Sequence, residues 1–154
     1  MTNSLTWSLV SWNELDKLDL YHALQLRAEI FVLEQTCPYQ DVDGKDQKSH
    51  HLFAKDSAGR MVAYARLVAP GVSYDEMSIG RVVTHASVRR TGVGVTLMEK
   101  AIEGLHLIYG EKLIRISAQE YLQKFYENLG FTKVSEAYLE DDIPHIEMTL
   151  SKTN

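Results

Sequence analysis

"SVRRTGVGVTLMEKAIEGL", residues 87–105, passes from two arginines through two glycines one residue apart into a run of helical periodicity. Upstream, "SIGRVVTHASV" (78–88) has the β-branched character of a strand. Downstream, Leu97, Met98, Ala101, Ile102, Leu105 and Ile108 fall on one side of a helix. A strand, a glycine-bearing turn and a helix N-terminus together make an anion site, because first-turn N–H groups lack partners and carry partial positive charge. Arg89 and Arg90 add full charges, and Gly92 and Gly94 let the main chain approach a phosphate that any side chain would obstruct. Two glycines alone fit an ordinary strand-to-helix turn; the arginines and the helix shift the reading to phosphate. The Walker pattern fails, since Val95-Thr96 follows where Lys-Ser/Thr is needed, and a dinucleotide fingerprint fails because Leu97 stands at the third glycine.

Working outward, "LTWSLVSW" (5–12) predicts a first strand. A helix over 17–34 follows, with Leu20, Leu24, Ala28 and Phe31 on one face. The polar segment "EQTCPYQDVDGKDQKSH" (34–50) predicts a loop, and "HLFAKDSAGRMVAYARLV" (51–68) a hairpin turning at Ser57-Ala58-Gly59. After the helix of the opening stretch come a strand in "KLIRISAQ" (112–119), a short helix in "EYLQKFYENLGF" (120–131), and two closing strands. These are "TKVSEAYL" (132–139) and "HIEMTL" (145–150), separated by the acidic turn "EDDIP" (140–144). Hairpin and crossover connections together indicate a mixed sheet in an α/β or α+β layer fold.

At 154 residues the chain suits one domain, spanning 1–154. No apolar stretch approaches a membrane span, and "MTNSLTWSLVSW" lacks the basic start and apolar core of a secretion signal, so a cytoplasmic protein without membrane partners is expected. The single cysteine, Cys37, agrees with a reducing compartment. A net charge of −5 argues against nonspecific nucleic-acid binding.

The turn Arg89-x-x-Gly92-x-Gly94 resembles the pyrophosphate-binding turn of the GNAT superfamily of acyl-CoA-dependent N-acetyltransferases. "IGRVVTHASVRRTGVGVTLMEKA" (79–101) resembles that family's strand, turn and helix, and "ISAQEYLQKFYENLGF" (116–131) its later segment. "RAEIFVLEQTCPYQDVDGKD" (27–46) and "YLEDDIPHIEM" (138–148) are similar to the ElaA-type branch. The resemblance implies a mostly antiparallel central sheet flanked by helices, with a splayed strand pair forming an acyl-CoA cleft. It implies acetyl-CoA as co-substrate, with no metal. Val82 and Val83 would bind the pantetheine arm through main-chain groups, and Arg89, Arg90, Thr91, Gly92, Val93 and Gly94 would wrap the pyrophosphate. Tyr126 matches the tyrosine that protonates the departing thiolate. Arg90 departs from the pattern, since many members have a second glycine there.

The chemistry needs two proton movements. Tyrosine, with a pKa of about 10, keeps its proton at neutral pH and can lend it to a thiolate whose own pKa is about 8.5. A lysine-like amine is neutral in roughly one molecule per thousand at pH 7, so the site must remove its proton. Glu34, Asp41, Asp43, His50, His51, Glu120 and His145 are the candidate bases, of which Glu34 and His145 are carried forward. Arg27 shares the apolar helix face and predicts a buried cation that needs a carboxylate or a substrate acid group; Arg81, in the strand feeding the turn, is a candidate substrate contact. Asp41, Asp43 and His51 join them as candidate acceptor contacts, the acidic loops favouring a cationic amine on a small molecule or peptide.

"DVDGKD" does not fit a calcium loop, since Gly44 falls at position 4 and Leu52 replaces the closing glutamate. Cys37 lacks a base placed beside it by sequence, so direct transfer in a ternary complex is expected over a cysteine-bound intermediate. Two alternatives stand: a longer-chain acyltransferase, since "LRAEIF", "DVDGKD" and "GRMVAYARLV" resemble the N-terminal half of acyl-homoserine-lactone synthases, and a non-catalytic CoA-binding sensory module. No feature decides between a monomer and a homodimer built on the closing strands.

Overall fold

Two antiparallel sheets are joined by one isolated bridge in the computed structural model, which describes residues 4–151. The first has the order β1 (Thr6–Ser11), β2 (Ser49–Lys55), β3 (Met61–Val68), β4 (Ser78–Thr84). In the second, β8 (Ile143–Leu150) pairs with β5 (Ile114–Gln119) and with the short β6 (Thr132–Lys133) and β7 (Tyr138–Glu140). A parallel bridge between Met77 and Ile114 joins the sheets, and the Arg115 N–H donates to the Met77 carbonyl at 3.1 Å. Beyond that bridge β4 and β5 belong to separate sheets and part, leaving the outer edge of β4 open.

Helix α1 (Lys17–Arg27) runs on into a π-helical stretch, Ala28–Glu34; α2 is Val93–Tyr109 and α3 is Gln123–Asn128. Helix α2 buries Leu97, Met98, Ala101 and Leu105, most of the stripe its periodicity predicts. A Cβ on Gly104 would lie 3.0 Å from Leu67 and Leu9, so its absence lets α2 sit down on the first sheet. Strand β3 is buried at all eight positions, as its near-continuous apolar run requires for a strand covered on both faces.

Three expectations are corrected. Helix α1 and its extension bury Ala23, Leu26, Arg27 and Ile30, while Ala28 is exposed; the buried face is turned from Leu20–Leu24–Ala28–Phe31 because Arg27 must reach carboxylates beneath it. "TKVSEAYL" is not one strand but β6 and β7 with a break, where the Ser135 hydroxyl accepts the Glu147 N–H at 2.8 Å in place of a main-chain carbonyl. The helix expected over 120–131 opens as a 3₁₀ turn and is α-helical only over α3.

Candidate acyl-transfer cleft

The splay of β4 from β5 opens a cleft of about 610 Å³. Its wall on the β4 side contains a β-bulge. Val83 pairs with Tyr64 and Gly80 with Arg66, so three steps along β4 match two along β3. The surplus falls at Arg81 and Val82, and Arg81 takes a φ of 51°, which re-aims the strand and leaves main-chain groups out of the ladder. Val82 and Val83 both line the cleft.

Past β4, His85 caps a 3₁₀ turn by accepting the Ser87 N–H on Nδ1 at 3.0 Å. The chain then reaches α2 through two residues of positive φ, Arg90 at 64° and Gly92 at 85°. Such alternation makes a concave array of N–H groups suited to an anion. Thr91 Oγ donates to the Val88 carbonyl and fixes the turn. The first bond inside α2 runs from Thr96 N–H to the Gly92 carbonyl at 3.1 Å, so the amides of Val93, Gly94 and Val95 have no intrahelical acceptor. Arg90 holds, as a non-glycine residue, the left-handed conformation that glycine adopts without strain, at a cost of roughly 1–2 kcal/mol. Arg89 lines the cleft, whereas Arg90, Thr91, Gly92, Val93 and Gly94 are not among its lining residues, Thr91 and Gly92 being exposed. Gly94 is not demanded by the fold: a Cβ there would meet only the Phe125 ring, at 3.9 Å.

Tyr126 on α3 faces the same cleft at 7% exposure, packed edge-on between Phe125 and Phe131. Burial pushes its phenol pKa up to about 12, so it stays protonated at neutral pH.

Opposite stands a polar wall built by β5, β7 and β8. His145 pairs with Gln119 on one side and Tyr138 on the other, and its ring stacks on Tyr138 at 6.2 Å. His145 Nδ1 lies 2.7 Å from the Ile143 carbonyl, which can only accept, so Nδ1 carries the proton and Nε2 presents its lone pair. Ser117 Oγ bonds the Tyr138 hydroxyl at 2.6 Å and donates to Glu140 Oε1 at 3.0 Å. Three links tie the rims together: Glu34 to Arg89 at 2.7 Å, Gln119 to Gln35 at 3.3 Å, and Cys37 Sγ to the Asp141 carbonyl at 3.3 Å.

The loop after the π-helical stretch is held by a network of three arginines and three aspartates. Arg27 Nε donates to Asp41 at 2.8 Å and Nη1 to Asp46 at 2.8 Å. Arg66 grips Asp43 with two bonds of 2.8 Å, and Arg81 Nε donates to Asp41 at 2.8 Å. Burial would raise Asp46, but Arg27 and then Arg66 hold it below the usual carboxylate range; Asp43 is likewise lowered, against burial, by Arg66. His51 Nε2–H donates to the Asp46 carbonyl at 2.9 Å and Nδ1 accepts from Tyr64 at 2.7 Å, and burial lowers its pKa, keeping it neutral.

The candidate residues therefore divide. Val82, Val83, Arg89, Tyr126, Glu34, His145, Asp43 and Arg81 come together on the cleft. Arg27 and His51 do not: each is 0% exposed and satisfied within the network, which makes their roles structural instead of substrate contacts. Asp41 is held by both Arg27 and Arg81, and the aspartates of the loop have their charge matched by arginines, so they are not the free acidic surface expected. Cys37 meets a main-chain carbonyl and no base. Arg66, Ser117 and Tyr138 were not singled out by sequence, although an arginine inside "MVAYARLV" and the alternation of "IRISAQ" are signals that mark the first two. Among the described residues, no group of three or more His, Cys, Asp or Glu is arranged to hold a metal, and no helix is long and apolar enough to cross a membrane.

Residues 23–152 match the family model for an acetyltransferase (GNAT) domain. Protein ElaA of Escherichia coli is 40% identical over 147 residues, covering 94% of this chain and 95% of ElaA. The crystal structure of ElaA superposes with a TM-score of 0.90 over 96% of this chain and 100% of that one, at 37% identity. An acyl-CoA N-acyltransferase from Pseudomonas aeruginosa matches with a TM-score of 0.91 at 43% identity, over 96% of this chain and 100% of that one. The CoA-dependent acyl-homoserine lactone synthase BjaI, solved with SAM and isopentyl-CoA, shares the fold at a TM-score of 0.79 and 18% identity, over 97% of this chain and 84% of its own.

Proposed function

The chain belongs to the acetyltransferase (GNAT) family, and from that premise we propose that it moves an acetyl group from acetyl-CoA to a primary amine by direct attack in a ternary complex. The observation that carries this reading is that one cleft collects the open edge of β4, Arg89 at the head of the phosphate turn, and the buried phenol of Tyr126. The residues fit the co-substrate. Amides at the start of α2 lack acceptors, and Gly94 gives up roughly 0.5–1 kcal/mol of helix stability that the fold does not require, which a closely approaching phosphate accounts for. Arg89, Arg90, Thr91, Gly92, Val93 and Gly94 hold the pyrophosphate, and the bulge at Arg81–Val82, with Val83, supplies main-chain groups for the pantetheine arm.

Two side chains move the protons. His145 Nε2 takes one from the protonated acceptor, freeing the nitrogen lone pair that attacks the acyl carbon. As the carbon–sulfur bond breaks, the Tyr126 phenol protonates the sulfur, its raised pKa keeping that proton in place beforehand, and the phenolate is reprotonated as the acylated nitrogen sheds its second proton. Glu34 is less suited to be the base because its carboxylate is paired with Arg89. Preference for acetyl over longer acyl groups is part of the proposal.

An acetyl-CoA-dependent thiol-release assay against alkylamines, polyamines, amino acids and peptides tests it, with longer thioesters as competitors. Release with an amine, fastest from acetyl-CoA, is expected. CoA binding with no release across the panel, in wild type and Tyr126→Phe alike, would overturn catalysis in favour of a binding module.

A further inference from the structure

Glu140 differs from the acidic residues of the loop that follows α1. Asp41, Asp43 and Asp46 each meet one or more guanidinium groups at 3.2 Å or less. Glu140 has no lysine or arginine within 4.0 Å among the described residues; the basic side chain beside it is His145, whose Nε2 lies 3.7 Å from Oε2, beyond hydrogen-bonding reach. His145 is 7% exposed and lines the cleft; its Nε2 makes no hydrogen bond, is not enclosed by protein, and so is reachable from the gap beside a carboxylate.

The carboxylate is held in place. Ser117 donates to Oε1 at 3.0 Å, and the Tyr138 hydroxyl bonds that serine at 2.6 Å. Glu140 pairs with Ile143 across a two-residue hairpin turn, Asp141-Asp142, in which both φ values are positive, 51° and 63°. That is the geometry of the tight turn whose twist matches paired strands, so the side chain is mounted on a short rigid hairpin. An anchored carboxylate without a counter-ion, next to an imidazole free to accept a proton, is a receptor for a cationic N–H donor.

Resting on the acyl-transfer reading above, we propose that the acceptor is a primary alkylamine that arrives as its ammonium ion and is held by Glu140, from which His145 Nε2 takes the proton. The carboxylate also selects against amines that carry their own carboxylate next to the nitrogen, as free α-amino acids do, because two anions would share one wall.

Cadaverine is the cationic probe and methoxyamine, uncharged at neutral pH, the neutral one. Calorimetry in the presence of CoA is expected to show cadaverine binding that weakens at least about tenfold, or about 1.4 kcal/mol, in Glu140→Gln and in Glu140→Ala. CoA binding stays unchanged in both variants, which reports that they fold. In turnover, Glu140→Gln raises KM for cadaverine by a similar factor and leaves methoxyamine turnover within about twofold. Glu111→Gln, at an exposed carboxylate that does not line the cleft, leaves the cadaverine-to-methoxyamine ratio unchanged. Cadaverine binding that is absent from wild type, or unaltered by both Glu140 variants, overturns the proposal. Binding that depends on Glu140 without thiol release from any nucleophile supports the ammonium site while contradicting acyl transfer, so the two failures are distinct.

Discussion

Tyr126 and His145 both line the cleft, with hydrogen-bonding environments that suit opposite tasks. The phenol is buried among aromatic rings and titrates at about 12; the imidazole commits its Nδ1 proton to a carbonyl and keeps Nε2 free. Tyr126→Phe keeps the ring packing and removes only the acid, so kcat should fall by about 10²–10⁴-fold while CoA affinity is preserved. Stopped-flow thiol release paired with a CoA titration measures both; a variant with wild-type kcat contradicts the acid role. At this scale the sequence shows residue type and approximate address. Tyr126 is legible because a motif fixes it within a short helix, whereas the choice between substrate and protein partners for Arg27 and His51 is not, because a charged or titratable side chain on a buried face looks the same in either case. What separates the two outcomes is the loop carrying Asp41 and Asp46, whose path no local pattern dictates.

Among the elements, that loop and β4 are coupled through one side chain. Arg81 sits at the bulge that opens the cleft wall and reaches Asp41 and Asp43, so the ion network that fastens the loop also steadies the bulge. Removing one member leaves buried guanidinium charge uncompensated, and Asp46→Asn is expected to cost roughly 3–5 kcal/mol of stability in a denaturant titration. The pH dependence follows from the directions of the shifts. Asp43 and Asp46 titrate lower in the folded chain than the roughly 4 of an unfolded one, so their stabilisation is complete above about pH 4 and is lost as pH falls through their folded values. His51, also lowered, lets the unfolded chain take up a proton first, so stability declines already as pH drops below about 6.5. Urea midpoints should therefore fall from pH 7 toward 4 and more steeply below, with the lower limb diminished in Asp46→Asn; a flat profile in the wild type contradicts the network's role. The periodic elements were readable, α2 most of all, because a stripe of apolar residues must find a sheet. The face of α1 and the interruption of the closing strand were not, since one is set by a distant ion pair and the other by a serine hydroxyl standing in for a carbonyl.

For the whole molecule, the decisive feature is that two antiparallel sheets are bridged at Met77 and Ile114, beyond which β4 and β5 belong to separate sheets. On the proposed reading, the gap offers the donor the edge of β4 and the phenol of Tyr126, and the acceptor the polar wall of β5, β7 and β8. The family was legible in the turn and its flanking segments; the splay was legible only through that resemblance, because nothing in the β4 or β5 residues alone forbids them from pairing. A crystal structure with CoA tests the account most directly. The diphosphate should lie against the amides between Arg89 and Val95, with the arm along β4 and the sulfur beside the Tyr126 hydroxyl; a nucleotide bound elsewhere, or a sulfur directed away from α3, would contradict it.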